Sequence, residues 1–218
     1  MSGKNSKTVL YLVRHGQSVT NIQGRVSGHI DVSLTSLGEL QANVVAQALK
    51  NVKFSAIYSS DLIRAKSTAE KTAFLHNLSV ITSKELREIY LGKWEGKTLA
   101  EISERYGDAY QNTWIKNFGF FRAEGGESVE EVFLRAKKEL EKIAKLNLGK
   151  NVVIFTHGCF IRTIFAGLNG LLPTEADDMP WATNASYSTI IFDGKCLKAG
   201  EYSVDSFMDK NMISTFEG

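Results

Sequence analysis

The chain has 218 residues, of which 43% are hydrophobic, so it is long enough to bury the core of one globular domain. The formal net charge is only +2, with lysines and glutamates interspersed, which argues against nucleic acid or a membrane surface as the partner. No segment approaches the roughly 20 apolar residues of a membrane span, and the N-terminus lacks a secretory-signal pattern, so we expect a cytoplasmic protein with its two cysteines as free thiols.

The predicted elements begin with a strand over residues 8–13, whose near-continuous apolar run is typical of burial on both faces. Residues 34–50 show helical spacing, and Thr35 or Ser36 is the expected N-cap. Ser36 and Glu39 also have capping-box spacing. The apolar residues of this helix are Leu37, Leu40, Val44, Val45 and Ala48.

Strands and helices continue to alternate along the chain. A second strand is predicted at 55–60, followed by a helix that Asp61 caps and that ends near Leu75. The later predicted elements are a helix over 126–146 opened by a Ser128–Glu131 capping box, a strand over 151–156 with a helix behind it, and a hairpin or two edge strands within 188–204. This order predicts an α/β fold of three layers, α/β/α, with a mostly parallel mixed sheet.

The segment from about residue 93 to 126 differs from the rest because it is irregular and rich in aromatic residues. We expect a single domain over 1–218 with a cap-like insertion at about 93–126. The aromatic residues concerned are Tyr106, Tyr110, Trp114, Phe118, Phe120 and Phe121. Most are expected to pack in the core, and the alternative is that some cover a binding pocket.

Side chains suited to an anion follow three of the predicted strands. Arg14 and His15 end the first strand, Arg64 lies on the first turn of the helix after the second, and His157 and Gly158 follow the third. Ligands of α/β sheets bind beyond the carboxyl ends of the strands, so we expect these residues to meet at one point. The planar guanidinium group binds phosphate in a bidentate manner, and helix N-termini add backbone donors.

Four segments together resemble the ordered motifs of the histidine phosphatase superfamily. The segments are LVRHGQS, SSDLIRAKSTAE, LREIYLGKWEG and FTHGCFIR, and the resemblance extends from about residue 8 to 190. It implies the phosphoglycerate mutase-like fold and phosphoryl transfer through a phosphohistidine intermediate.

The resemblance implies a role for each matching residue. His15 matches the nucleophile that becomes phosphohistidine. Arg14, Arg64 and His157 match the rest of the phosphate pocket, and Glu88 matches the carboxyl group that donates a proton to the leaving oxygen. Further candidates for contact with phosphate or substrate are Asn21, Ser27, Gly28, Gly158 and Trp181.

The chemistry of these residue types agrees with such roles. A histidine attacks phosphorus only through an unprotonated ring nitrogen, and the neighbouring arginines should disfavour the imidazolium form of His15. A hydrogen bond from its other nitrogen to the backbone would fix the tautomer. Phosphoryl transfer has a loose transition state, so the arginines and His157 are expected to position and neutralise the phosphate. The bound dianion should favour a protonated Glu88, which the leaving alkoxide requires.

Two other chemistries are disfavoured. A metal site formed by His15, His157 and Glu88 would have arginines beside its ligands, which repel a cation, so no metal and no cofactor are expected. Cys159 lacks the loop of a phosphocysteine enzyme, because Arg162 follows it after only three residues. We expect Cys159 to be a small core residue.

Three functions fit the motifs: a phosphomonoester hydrolase of a small phosphorylated metabolite, a cofactor-dependent phosphoglycerate mutase, and a non-catalytic phospholigand-binding protein. A binder has no use for Glu88. By comparison with mutases, His29 stands where they carry a tryptophan, and NTWIKNFGFF occupies the place of their paired arginines. The sequence therefore favours the hydrolase, with a small-molecule phosphate monoester as partner and a homodimer left open.

Overall fold

A computed structural model describes residues 7–214, which form a three-layer α/β/α fold as predicted. The strands are β1 (Thr8–Arg14), β2 (Phe54–Ser59), β3 (Val80–Thr82), β4 (Asn151–Thr156), β5 (Tyr187–Phe192) and β6 (Leu197–Ala199). The α-helices are α1 (Val19–Ile22), α2 (Ser36–Leu49), α3 (Ile63–His76), α4 (Leu99–Ala109), α5 (Val129–Leu146) and α6 (Gly158–Leu168). Shorter helical segments are Lys84–Leu86, Gly92–Trp94, Tyr110–Ile115, Phe118–Phe120, Ala176–Asp178 and Lys210–Met212.

The sheet has the strand order β3-β2-β4-β1-β5-β6 in the described residues. Strands β1 to β4 are parallel, whereas β5 runs antiparallel to β1 and β6 antiparallel to β5. The sheet is therefore mostly parallel and mixed, as expected. The last two strands form the predicted hairpin, and of these two only β6 lies at an edge of the sheet, because β5 pairs with both β1 and β6. Strand β3 was not predicted.

The two central strands are buried on both faces. Leu12 and Ile154 belong to a hydrophobic cluster with α5 and α6, whereas the next residues, Val13 and Phe155, belong to a second cluster with α2 and α3. Alternate residues of a strand point to opposite faces, so one apolar run supplies both cores. This burial fixes the register of the strands that carry the functional loops.

Helix α2 differs from its prediction in its cap and in its buried face. The Thr35 hydroxyl accepts a hydrogen bond from the Gly38 N–H, whereas Glu39 pairs with Lys71 instead of completing a capping box with Ser36. The residues that α2 buries are Gly38, Gln41, Ala42, Val45, Ala46 and Leu49, and Leu40 is 57% exposed. The buried face therefore differs from the predicted one. Gly38 packs against the loop after β1, where an added Cβ would lie 2.0 Å from the Gln17 carbonyl oxygen.

Asp61 does not cap α3, so that prediction was wrong. Its carboxylate instead accepts two hydrogen bonds from Arg87, at 2.7 and 2.6 Å. The Ile63 N–H at the start of α3, which has no partner within the helix, donates to Asp31 Oδ1 at 2.6 Å. Asp61, the carboxylate nearest in sequence, is thus paired with Arg87, and Asp31 from a distant loop binds the N-terminus of α3 instead.

The segment 93–126 is less irregular than expected because it contains α4. Thr98 and Glu101 open this helix with a capping box, and Gly107 bends it with a φ of +39°. The predicted single domain over 1–218 extends beyond the described residues at 1–6 and 215–218. Within residues 7–214, none of the helices has both the length and the apolar composition needed to cross a membrane.

The cap of α2 gives a stability prediction. Thr35→Ala should lower the free energy of unfolding by about 1 kcal/mol, because it removes the acceptor of an N-terminal N–H group. Ser36→Ala should change it by less than about 0.5 kcal/mol, because Ser36 is exposed and is not the cap. Denaturant unfolding of both variants measures the difference, and an equal or reversed loss would contradict the assigned cap.

Candidate active site

The carboxyl ends of β1 and β4 bring the two histidines together. Arg14 pairs with Thr156 in the parallel register, so His15 and His157 are the next residues on neighbouring strands. The His15 N–H donates to the Thr156 carbonyl at 3.0 Å, and Asn184 Nδ2 donates to the His15 carbonyl at 3.0 Å. The two imidazole rings lie 5.2 Å apart between centroids, at an angle of 62°.

Two buried arginines lie beside these histidines. Arg64, which is 1% exposed on the first turn of α3, donates to the carbonyls of Gly28 and Ile30 at 2.8 and 2.9 Å. Arg14 donates through Nη1 to the Ala182 carbonyl. Burial lowers the pKa of each arginine to about 10, against the opposing charge of Glu88, so both remain charged at neutral pH.

Gly158 allows the start of α6 to approach Arg14. A Cβ at Gly158 would lie 3.1 Å from Arg14 Nε and 3.3 Å from its Cζ. This Nε has no hydrogen-bond partner among the described residues. A donor of a charged group is therefore available at the helix N-terminus, where backbone N–H groups also favour an anion.

The His15 ring has the protonation state that a nucleophile needs. Burial, and then the charges of Arg64 and Arg14, hold its pKa well below the usual value. Nδ1 lies 2.7 Å from the Gly16 carbonyl oxygen, which can only accept, so Nδ1 carries the hydrogen. Nε2 therefore keeps its lone pair, as the sequence argument expected.

His157 differs from its expected electrostatic role. The ring is completely buried, and burial with the nearby Arg64 and His15 holds its pKa well below the usual value. Neither ring nitrogen has a hydrogen-bond partner among the described residues. A neutral His157 can offer a hydrogen bond to an anion but adds no positive charge in the free protein. Two arginines, and not two arginines with an imidazolium, supply the charge.

Glu88 reaches the same place from another part of the chain. Its half-buried carboxylate accepts hydrogen bonds from the N–H groups of Cys159, Phe160 and Ile89, each at 3.0 Å. Two of these donors belong to the first turn of α6, a position that favours a carboxylate. The first turn of α6 thus fixes the carboxyl group beside His157 and Gly158.

The other predicted site residues line the same pocket as His15, Arg14, Arg64 and Glu88. They are Asn21, Ser27, Gly28, Gly158 and Trp181. His157 alone among the predicted residues lies behind the pocket wall, in contact with His15. Gly28 has a φ of +51°, and an added Cβ would lie 2.1 Å from Glu95 Oε1, so a side chain at this position would be strained.

Several lining residues were not identified from the sequence. They are Arg25, Val26, Ile89, Leu91 and Cys159. Arg25 lies between Asn21 and Ser27, both of which were identified from the sequence, so its position in the chain could have indicated it. Its Nη1 donates to the Gly96 carbonyl at 2.7 Å and to Glu101 at 3.2 Å, which links the pocket to α4.

Trp114 and Trp181 form an aromatic wall of the pocket, with ring centroids 5.8 Å apart. The Arg162 guanidinium lies 4.7 Å from the Trp181 ring and 4.2 Å from the Phe118 ring. Most of the other aromatic residues of the cap pack in the core, although Phe120 is 57% exposed. The expectation of mainly core packing therefore holds, with Trp114 as the residue that reaches the pocket.

Cys159 lines the pocket as an inert thiol. It is buried, and burial together with the charge of Glu88 raises the pKa of its thiol well above the usual value. Its contribution to the site is the backbone N–H that binds Glu88. This agrees with the expectation of a small core residue.

Comparison with known proteins identifies the family of the chain. A model of the histidine phosphatase superfamily (branch 1) matches residues 10–204. Phosphoserine phosphatase 1 of Hydrogenobacter thermophilus is 34% identical over 184 residues, which are 83% of this chain and 85% of that protein. The metal-independent phosphoserine phosphatase of Arabidopsis thaliana is 32% identical over 212 residues, covering 95% and 84%. Relatives described as phosphoglycerate mutases also match.

The fold comparison agrees with the sequence comparison. Bacillus stearothermophilus YhfR superposes with a TM-score of 0.87 at 30% identity, over 92% of this chain and 98% of that one.

The buried histidines give a prediction for stability against pH. Their pKa values are lowered in the folded protein, whereas an unfolded histidine titrates near pH 6.5, so only the unfolded chain takes up these protons as the pH falls below about 6.5. The free energy of unfolding should therefore fall there, by up to about 1.4 kcal/mol per pH unit for each histidine. His15→Asn should make the decline shallower in denaturant titrations between about pH 7.5 and about pH 5.5. Parallel declines for variant and wild type would contradict a lowered pKa for His15.

Proposed function

The chain belongs to the histidine phosphatase superfamily and is a phosphatase, and we propose that it hydrolyses small phosphate monoesters through a phosphohistidine formed on His15. The observation that carries the proposal is an unprotonated His15 Nε2 beside two buried guanidinium groups, with the Glu88 carboxyl group in the same pocket. A phosphate dianion matches this charge, and the nucleophile and the acid would lie on opposite sides of phosphorus.

In the first step, His15 Nε2 attacks phosphorus while the bond from phosphorus to the ester oxygen breaks. The departing alkoxide takes a proton from Glu88, because an alkoxide is otherwise a poor leaving group. Arg14 and Arg64 neutralise the equatorial oxygens of a loose transition state. Each charge-assisted hydrogen bond contributes about 1.5–3 kcal/mol.

In the second step, a water molecule attacks the phosphorus atom of phosphohistidine. Glu88, now ionised, takes the proton from this water, the N–P bond breaks, and inorganic phosphate leaves with His15 neutral again. His157, whose neutral ring packs against the ring of His15, supports the nucleophile from behind the pocket. No metal ion is needed in this sequence, because two fixed guanidinium groups balance the charge.

The other residues of the pocket have roles in binding. Asn21 uses its Oδ1 to accept bonds from the Ser18 N–H and hydroxyl, both at 2.9 Å, so its amide nitrogen remains to donate to a phosphate oxygen. Ser27, Gly28 and Gly158 complete the phosphate contacts. Trp181 with Trp114 bounds the part of the pocket that receives the alcohol half of the substrate.

Phosphoserine is the first substrate to assay, because two of the relatives are phosphoserine phosphatases. Hydrolysis is favoured over a mutase reaction because NTWIKNFGFF occupies the place of the paired arginines of mutases. His29, at the position of a tryptophan in mutases, donates to the Glu88 carbonyl at 2.9 Å.

Within this proposal the chain acts as one cytoplasmic catalytic domain, with residues 93–126 as a cap that supplies Trp114.

Rapid acid quench of the enzyme with a 32P-labelled phosphate monoester tests the proposal. The protein should carry an acid-labile, base-stable phosphate, and His15→Ala should abolish it. Chase with water should release inorganic phosphate. Transfer of the label to 3-phosphoglycerate in preference to water would instead establish a mutase, and an unlabelled wild type during turnover would refute the covalent step.

A further inference from the structure

Arg135 on α5 holds the segment of backbone that ends at the proposed acid. Its Nη1 donates to the carbonyls of Glu85 and Arg87, both at 2.9 Å, and its Nη2 donates to the Glu88 carbonyl at 2.9 Å. One guanidinium group thus donates hydrogen bonds to three carbonyl groups within four consecutive residues. Neither the motifs nor the pocket lining identified Arg135, because its side chain contacts the backbone of the acid and not the pocket.

Glu127 holds this guanidinium group in place. It accepts from Arg135 Nε at 2.8 Å and from Nη2 at 3.0 Å, and it also accepts from the Tyr90 N–H at 2.8 Å. The side chains of Arg135 and Glu127 are only 15% and 24% exposed. Burial alone would raise the pKa of Glu127, but its bonds with Arg135 keep that pKa below the usual value, so the pair stays ionised.

The same carbonyl of Glu88 has a second donor. His29 Nε2 lies 2.9 Å from it, and the His29 N–H donates to Glu95 at 2.6 Å. The loop of His29 is the one whose carbonyls at Gly28 and Ile30 bind Arg64. The backbone of Glu88 is therefore held by α5 and by the loop of His29, while α6 holds its carboxylate.

This arrangement bears on proton transfer because an acid acts only within hydrogen-bond reach of the leaving oxygen. A displacement of about 1 Å in a reacting group can cost about a hundredfold in rate. If the Glu88 backbone shifts, its carboxyl group moves relative to a phosphate that Arg14 and Arg64 keep in place.

We propose that Arg135, oriented by Glu127, is a positioning residue for Glu88 in proton transfer to the leaving group. The proposal rests on the proposed function, because it requires Glu88 to be the acid. An arginine fork is needed, since a lysine ammonium group cannot reproduce a planar set of donors to three carbonyls and a carboxylate.

The test compares kcat/KM for an alkyl phosphate, phosphoserine or glycerol 2-phosphate, with kcat/KM for p-nitrophenyl phosphate, whose leaving group needs little protonation. Arg135→Lys should slow the alkyl phosphate by about tenfold or more and p-nitrophenyl phosphate by less than about threefold. Arg122→Lys is the matched control, because Arg122 also binds a carbonyl (Gly126) and a carboxylate (Glu131) but is 53% exposed and does not contact residues 85–88. The control should leave the ratio of the two kcat/KM values unchanged.

A double-variant cycle distinguishes failure of the positioning role of Arg135 from failure of the acid assignment of Glu88. In a Glu88→Gln background, Arg135→Lys should produce no further change in the ratio, because the acid is already removed. Glu127→Gln, which weakens the support of Arg135, should shift the ratio in the same direction by less, and it serves if Arg135→Lys does not fold. Equal losses on both substrates in Arg135→Lys or Glu127→Gln would overturn the positioning role. A Glu88→Gln variant with an unchanged ratio would instead overturn the acid assignment in the proposed function.

Discussion

The parallel register of β1 with β4 is the constraint on which the active site depends. It pairs Arg14 with Thr156, so the next residue on each strand is a histidine, and the His15 N–H extends the ladder to the Thr156 carbonyl. A shift of one residue would turn the apolar side chains of β1 to the wrong faces and separate the rings of His15 and His157. Core packing on both sides of the sheet therefore also maintains the geometry of phosphoryl transfer.

The charges of the site are arranged to remain available to a ligand. Among residues 7–214, the groups that orient Arg14 and Arg64 are the carbonyls of Ala182, Gly28 and Ile30 and not carboxylates. Carbonyl partners fix a guanidinium group without cancelling its charge, so both positive charges can act on a bound dianion. The same charges, with burial, keep His15 unprotonated, and one feature thus prepares both the phosphate site and the nucleophile.

The sequence was sufficient for features that depend on local pattern or on strand ends, and insufficient where a distant partner decides. The apolar run of β1 and the basic residues that follow three of the strands predicted the sheet and the meeting of His15, Arg64 and His157. Asp61 was wrongly predicted to cap α3, because the sequence gives no sign that Arg87 binds its carboxylate. The contacts of Arg135 with the backbone of residues 85–88 could not be predicted for the same reason. A helix arginine followed by lysines and glutamates is usually a solvated charge.

Nitrogen-15 NMR of the histidine side chains measures the protonation state of the proposed nucleophile, with His15 assigned by comparison with the His15→Asn spectrum. At pH 7 the His15 ring should be neutral, with the hydrogen on Nδ1 and a free lone pair on Nε2, and it should not titrate near pH 6.5. A His15 imidazolium at pH 7, or a hydrogen on Nε2 in the neutral ring, would contradict the account, because no lone pair would then face phosphorus.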